Sequence, residues 1–288
     1  MQGTVTCMSV PTQADSIPRV FIRPDLSISR VLNGLWQIAD MERDGARVDP
    51  DLASVAMNRY VEAGLTTFDM ADHYGSAELI CGHYRLTNAN AKTIETLTKW
   101  VPKPGPVTLD DARAAIDLAR RRLATERVDL LQFHTWTYDD PSWLDAMDHL
   151  ATLQREGAIG HLGLTNVDTA HLRMLLDSGY DVATNQVSFS LLDRRALQGL
   201  APLAAERDVH LLAYGTLAGG LLSDRWLDKP EPSWDDATTP WSLNKYRRFI
   251  AEAGGWDRYQ GVLRAARDVA DQHGSSIAMV ATRFIIDT

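Results

Sequence analysis

The strongest constraint on the fold of this chain is an alternation. Short apolar runs recur along it, and each is followed by a stretch with helical periodicity. The runs are Arg30 to Ile38, Leu65 to Asp69, Thr93 to Lys99, Val128 to His134, Ile159 to Thr165, Val182 to Gln186 and Val209 to Tyr214. Runs this short, rich in Val, Ile, Leu and Thr and bounded by turn residues, read as buried strands. Between them the helix signals are explicit. Asp49-Pro50 opens a helix through about Ala63, closed by Gly64. Glu78 to Tyr84 forms a short helix. Thr108 caps a helix to Leu123 whose positions Leu109, Ala112, Ile116 and Ala119 share one face. Trp143 to Glu156 places Trp143, Met147, Leu150 and Leu153 on one side, and Asp168 to Ser178 ends at Gly179. A further helix ends near Arg207. Gly215 to about Gly255 reads as a long Trp- and Pro-rich loop, followed by helices over about Trp256 to Gln272 and Ser276 to Ile286.

Seven strands alternating with helices imply a parallel sheet. A doubly wound sheet would carry a GxGxxG turn after its first strand, and none is present. The expected fold is therefore an α/β (β/α)8 barrel, for which 288 residues is an adequate length. Val20 to Ile22 and Leu26 to Ile28, around the turn Arg23-Pro24-Asp25, predict a small hairpin ahead of it. Residues 1–18 read as a flexible extension and 19–288 as the barrel. An eighth strand belongs after Ile286, whereas the sequence runs only to Thr288. The expectation is a barrel without its last strand and C-terminal helix, with a seam open between its first and seventh strands.

In such a barrel, chemistry resides at the C-terminal ends of the strands. Those ends carry Trp36, Asp69, Lys99, His134, Thr165 with Asn166, Gln186 and Tyr214, with Tyr74 in the loop after Asp69. Taken singly, each has an ordinary reading. Asp69 is a helix cap, Lys99 a rim lysine with its stem on apolar surface, His134 a core histidine with satisfied nitrogens. Their recurrence at successive strand ends is hard to explain as packing, because polar groups on a barrel axis are costly without partners.

These residues resemble the aldo-keto reductase family. The matching segments are FDMADHYG with Asp69 and Tyr74, TK with Lys99, QFH with His134, GLTN with Asn166, NQ with Gln186, and AYGTLAGGLL from Ala213. The likeness runs from about Gly34 onward. It implies that Asp69, Tyr74, Lys99 and His134 form a catalytic tetrad beside a bound nicotinamide dinucleotide, usually NADPH with NADH possible, reducing an aldehyde or ketone to an alcohol. Tyr74 is then the proton donor, and Lys99 is expected to lower its pKa, with Asp69 holding the lysine. His134 orients the carbonyl. Thr165, Asn166 and Gln186 are expected at the nicotinamide amide. Tyr214 stacks on the ring, and Gly215, Thr216, Leu217, Gly219 and Gly220 lie along the pyrophosphate. Trp36, Trp100 and Trp136 wall a substrate pocket. The basic residues that select NADPH are not matched, although Arg247 and Arg248 in the long loop could reach a phosphate.

Composition restricts the alternatives. The net charge is −9 with no basic block, which argues against nucleic acid. No apolar run reaches the roughly 18 residues that span a bilayer, and the first residues lack a secretion pattern. Cys7 and Cys81 lack metal spacing, so no metal site is expected and a reducing, cytoplasmic setting fits. Three functions compete: a carbonyl reductase, a nucleotide-sensing regulatory subunit with little turnover, and an inactive truncated relic that binds no cofactor. The substrate is a small carbonyl compound whose identity, like the oligomeric state, the sequence leaves open.

Overall fold

Capping chemistry sets where the helices begin. The computed structural model describes residues 17–38, 48–234 and 239–288. In α1 (Pro50–Glu62) the Asp49 carboxylate accepts from the amides of Asp51 and Leu52, with proline at the first helical position. In α3 (Leu109–Arg122) Thr108 and Asp111 form a reciprocal capping box. In α5 (Thr169–Asp177) Asp168 accepts from the His171 amide. The remaining helices are α2 (Ala77–Thr87), α4 (Trp143–Arg155), α6 (Leu200–Glu206), α7 (Trp241–Glu252), α8 (Trp256–Gln272) and α9 (Ile277–Asp287).

Strands β1 (Arg19–Arg23) and β2 (Leu26–Ser29) form the expected antiparallel hairpin. Seven parallel strands follow in sequential order: β3 (Asn33–Gly34), β4 (Thr67–Asp69), β5 (Glu95–Trp100), β6 (Val128–His134), β7 (Ile159–Thr165), β8 (Val182–Ser188) and β9 (His210–Tyr214). This sheet is strongly curled. Strands β4 and β8 stand four places apart, about 19 Å at the usual inter-strand spacing. Yet Gln186 Nε2 on β8 donates to Asp69 Oδ1 on β4 at 2.9 Å. Side chains that alternate inward therefore meet across an axis, while those that alternate outward pack against the helices.

The inward apolar side chains Leu97, Leu130, Ala183 and Leu212 lie at the bottom of this enclosure. They pack on Ile22, Leu26 and Ile28 of the hairpin, which closes the floor. Each fully buried leucine contributes about 2 kcal/mol. The outer layer is the larger core, joining Phe68, Ile80, Ile116, Phe133, Met147 and Leu164 among others. Cys81 belongs to it and is fully buried, as its helical neighbours suggest. A second cluster joins the segment after β9 to α7, α8 and α9 through Leu221, Tyr246, Phe249, Tyr259, Leu263 and Ile277.

Two expectations are corrected. The run Arg30 to Ile38 is not one strand. Only Asn33 and Gly34 pair with β4, and Trp36–Ile38 turn into a 3-10 helix. The Asn33 amide donates to the carbonyls of Leu65 and Thr67, which anchors the strand where it is shortest. The segment from Gly215 to Gly255 is not all loop either, because α7 lies within it. Leu243, Tyr246, Phe249 and Ile250 recur at helical spacing and bury the face that holds the helix down. The expected flexible extension falls mainly on residues 1–16, outside the described residues. At its end, Pro18 O accepts from the Arg30 amide.

Among the described residues, β3 and β9 are the sheet edges and are not hydrogen-bonded to each other. A cavity of about 520 Å³ separates them, lined by Ile28, Val31, Leu211, Ala213, Ile285 and Ile286 among others, with Asp69, Gln186 and Tyr214 at its inner side.

Candidate active site

The period-two alternation of the strands decides which side chains converge. Lys99 pairs in register with Gln132, and His134 with Thr165, which in turn pairs with Gln186. Partners in register project to the same face, so these five side chains share the inner surface with Asp69.

Asp69 is the hub of this group. Lys99 Nζ donates to its Oδ2 at 2.6 Å and to the carbonyl of Met70 at 2.9 Å. Gln132 Nε2 and Gln186 Nε2 both donate to Oδ1, at 2.8 and 2.9 Å. Two buried charges thus neutralise each other, and the amide donors satisfy the remaining carboxylate oxygen.

Tyr74 sits in the turn after β4, its ring centroid 5.3 Å from Lys99 Nζ and 4.8 Å from the Trp36 ring. Burial, reinforced by the Asp69 carboxylate, drives its phenol well above the ordinary range. This reverses the expected lowering. Desolvation of the phenolate, with the Asp69 carboxylate, outweighs the nearby ammonium. His134 is buried, and burial followed by the Lys99 charge lowers it to about 4, so that it is neutral near pH 7. Four buried polar atoms on this inner face have no hydrogen-bond partner among the described residues: His134 Nδ1, Gln132 Oε1, Thr165 Oγ1 and Thr184 Oγ1.

A nicotinamide group, if bound here, would meet these atoms. Its amide both donates and accepts, which suits the orphaned Thr165 hydroxyl. Beside it, Asn166 adopts a left-handed φ of 57° and accepts from the Tyr214 hydroxyl at 3.0 Å, which fixes that ring. The nicotinamide end therefore fits. Gln186, expected at the same amide, is instead engaged with Asp69.

In the glycine-rich segment expected along the pyrophosphate, several amides are engaged within the segment itself. The amides of Ala218, Gly220, Leu221 and Leu222 donate within the segment, to Gly215, Leu217, Ala218 and Leu217 respectively. Gly215 and Gly219 face the Tyr246 ring, where an added β-carbon would stand 2.5 and 2.9 Å from ring atoms. Their lack of a side chain serves the seating of α7. Only Gly220, at φ 94°, leaves its β-carbon position open, and Thr216 lines the cavity at the sheet edge.

Of the three expected tryptophan walls, two stand at the mouth. Trp36 meets Tyr74 edge-on, and the exposed Trp136 lies 4.6 Å from the His134 ring. Trp100 is corrected. It follows the inward Lys99 by one residue, so it faces outward and packs on Phe133 in the helix-side core. Several site residues escaped the sequence reading. Gln132 was legible, lying two residues before His134 on one strand. His73 hydrogen-bonds Asp72 at 3.0 Å and stacks edge-on with Tyr74. Lys245 and Tyr246 arrive from α7, hidden by reading that stretch as loop. Arg247 and Arg248 lie on the same helix, with the Arg248 guanidinium over the Phe249 ring.

Among the described residues, no group of acidic, His or Cys side chains could hold a metal ion, and no helix is long and apolar enough to cross a membrane.

Comparison with known proteins places this site in a context. The sequence model of the Aldo/keto reductase family matches residues 30–288. Protein tas of Escherichia coli (strain K12) is 32% identical over 195 residues, 60% of this chain and 54% of that protein. Aflatoxin B1 aldehyde reductase member 2 of Rattus norvegicus is 27% identical over 221 residues, 72% of this chain and 60% of that protein. The chain thus matches little more than half the length of these curated relatives. In three dimensions it is similar to a glycerol dehydrogenase, AKR11B4, from Gluconobacter oxydans. The TM-score is 0.76 at 21% identity, covering 95% of this chain and 83% of that one.

Proposed function

Because the chain belongs to the aldo/keto reductase family, we propose that it is an NAD(P)H-dependent oxidoreductase that reduces an aldehyde or ketone to an alcohol. The observation that carries this reading is the Asp69–Lys99 pair at 2.6 Å beside the Tyr74 ring, with His134 on the next strand. An aldehyde reductase among the relatives agrees with it. The curled sheet is read as seven strands of a (β/α)8 barrel.

When bound, the dinucleotide, NADPH in the first instance, supplies the hydride. The chain's own residues handle the proton. Tyr74, held neutral by burial, retains its phenolic proton until the substrate oxygen gains negative charge, and then donates it from Oη. Lys99, fixed by Asp69, lies close enough to stabilise the resulting phenolate. Neutral His134 hydrogen-bonds the carbonyl oxygen and orients it. Thr165, Asn166 and Tyr214 hold the nicotinamide end of the cofactor. Trp36 and Trp136 wall the entrance and exclude water from one side of the carbonyl.

The test is NADPH binding followed by cofactor fluorescence, with an aromatic aldehyde then added and absorbance recorded. Binding with aldehyde-dependent oxidation, lost in Tyr74→Phe, supports the reading. Binding without oxidation across a panel of aldehydes and ketones would turn it toward a nucleotide sensor, and no binding by the folded chain would overturn it.

A further inference from the structure

The turn that carries Tyr74 is tied to the strand that carries Lys99, and Asp72 makes the tie. Its amide donates to the Lys99 carbonyl at 2.9 Å, following the bond from the Met70 amide to the Leu97 carbonyl at 2.8 Å. The parallel pairing of β4 with β5 thus runs on past the end of β4. Further along β5, the Val101 amide donates to Asp72 Oδ2 at 3.0 Å. A side-chain oxygen here does what a backbone carbonyl does within a ladder. The Asp72 carbonyl is left to accept from Arg122 Nη1 of α3 at 3.3 Å. The chain is therefore held at the residue where it leaves the sheet.

The other carboxylate oxygen holds a ring. Asp72 Oδ1 is 3.0 Å from His73 Nδ1, and because a carboxylate only accepts, Nδ1 carries the proton. The imidazole so fixed lies edge-on to the Tyr74 ring at 4.9 Å, and 6.4 Å from both Trp36 and Trp136. Gly75, at φ 58°, then turns the chain toward α2. An aspartate serving solubility leaves its oxygens to water. Here each oxygen is committed to a donor beside the Tyr74 turn. Among the described residues Asp72 has no hydrogen bond to the Tyr74 hydroxyl, so it acts on Tyr74 through these ties.

We propose that Asp72 is a positioning residue for proton transfer, setting the Tyr74 phenol against Lys99 by tying the turn to the Val101 amide and bracing the His73 ring against Tyr74. This deepens the reductase reading and rests on it. The Tyr74 ring lies 5.3 Å from Lys99 Nζ. A misplacement of about 1 Å at such a site costs about 100-fold in rate.

Asp72→Ala and Asp72→Asn are compared with the parent and with Leu150→Ala, a core truncation in α4 that lowers stability without touching the turn. Asp72 is half-buried, so its truncation leaves the core intact. NADPH affinity is measured by fluorescence, and KM and kcat with an aromatic aldehyde. Asp72→Ala is expected to lower kcat about 10- to 100-fold, with KM and NADPH affinity within about threefold of the parent. Asp72→Asn should recover most of that loss. Its amide oxygen accepts from Val101 while its NH2 donates to His73, whose proton moves to Nε2. Leu150→Ala should lower the melting temperature and leave kcat within about twofold.

A kcat for Asp72→Ala within about twofold of the parent overturns the proposal. So does an Asn variant as impaired as the Ala variant, because charge rather than the tie then sets the rate. A second readout needs no turnover. The chain is labelled with fluorotyrosine, and the Tyr74 fluorine resonance is identified by its absence from Tyr74→Phe. Asp72→Ala should move that resonance and leave those of the other tyrosines in place, whereas Leu150→Ala should not move it. An unmoved Tyr74 resonance in Asp72→Ala overturns the proposal. If the parent turns over no carbonyl compound, the reductase reading fails, while the fluorine resonance still decides whether Asp72 positions Tyr74.

Discussion

Lys99 and Asp69 close a 2.6 Å ion pair from neighbouring strands, with their side chains only 2% and 12% exposed. Cutting such a pair on one side leaves a charge that the interior cannot solvate. Lys99→Met is therefore expected to destabilise the fold by about 3–5 kcal/mol, measured by denaturant unfolding. Turnover should fall with it, because the developing phenolate of Tyr74 loses its cation. A variant as stable as the parent would show that the pair does not hold the fold together.

Tyr74→Phe separates chemistry from packing. The ring keeps its edge contact with Trp36. Stability is expected to change by less than about 1 kcal/mol while kcat falls about 100- to 10,000-fold. NADPH affinity measured by fluorescence should remain within about threefold of the parent. A modest loss of kcat would move the proton-donor role to another group.

His134 makes a pH prediction whose sign follows from its burial. Its pKa is about 4 in the fold against 6.5 in the unfolded chain. Between those values the unfolded chain binds a proton that the folded chain refuses, so the contribution is present above pH 6.5 and is lost as pH falls toward 4. The full effect is about 3 kcal/mol. Urea unfolding from pH 7 to 4 should show a steeper loss for the parent than for His134→Gln. Parallel curves would mean that His134 takes up its proton as readily in the fold as in the unfolded chain.

Gly215 and Gly220 make a paired test of the glycine-rich segment. Both adopt positive φ, 68° and 94°, which a β-carbon strains. Only at Gly215 would that carbon also meet the Tyr246 ring, at 2.5 Å. Gly220→Ala is expected to cost about 1–2 kcal/mol, and Gly215→Ala about 2–3 kcal/mol more through overpacking. Thermal unfolding of both, together with Gly215→Ala in a Tyr246→Leu background, checks the mechanism. The smaller side chain should restore part of the loss.

Local signals carried the sequence reading a long way. Strands β6 and β7 and helix α8 have the predicted ends, and the expected caps Asp49 and Thr108 each accept from amides of the first turn. These features depend on neighbours within a few residues, so the residues themselves report them. Their place at the ends of successive strands also made Asp69, Lys99, His134, Thr165 and Gln186 legible as one group.

Misreadings arose where one residue of register or one distant contact decides. Trp100 adjoins Lys99 in sequence but lies on the opposite face of β5, because side chains alternate across a strand. The run from Arg30 to Ile38 is apolar enough for a strand, yet it turns after two paired residues.

By itself, then, the sequence determined an order of strands and helices and which side chains could share an inner face, since both follow from periodicity and capping. Only the tertiary structure decided that the sheet curls until Gln186 reaches Asp69 and that burial raises Tyr74 despite the nearby lysine. It also seated α7 by docking Tyr246 on two glycines. Distances across the axis, desolvation and helix docking depend on residues far apart in the chain, and no local pattern encodes them.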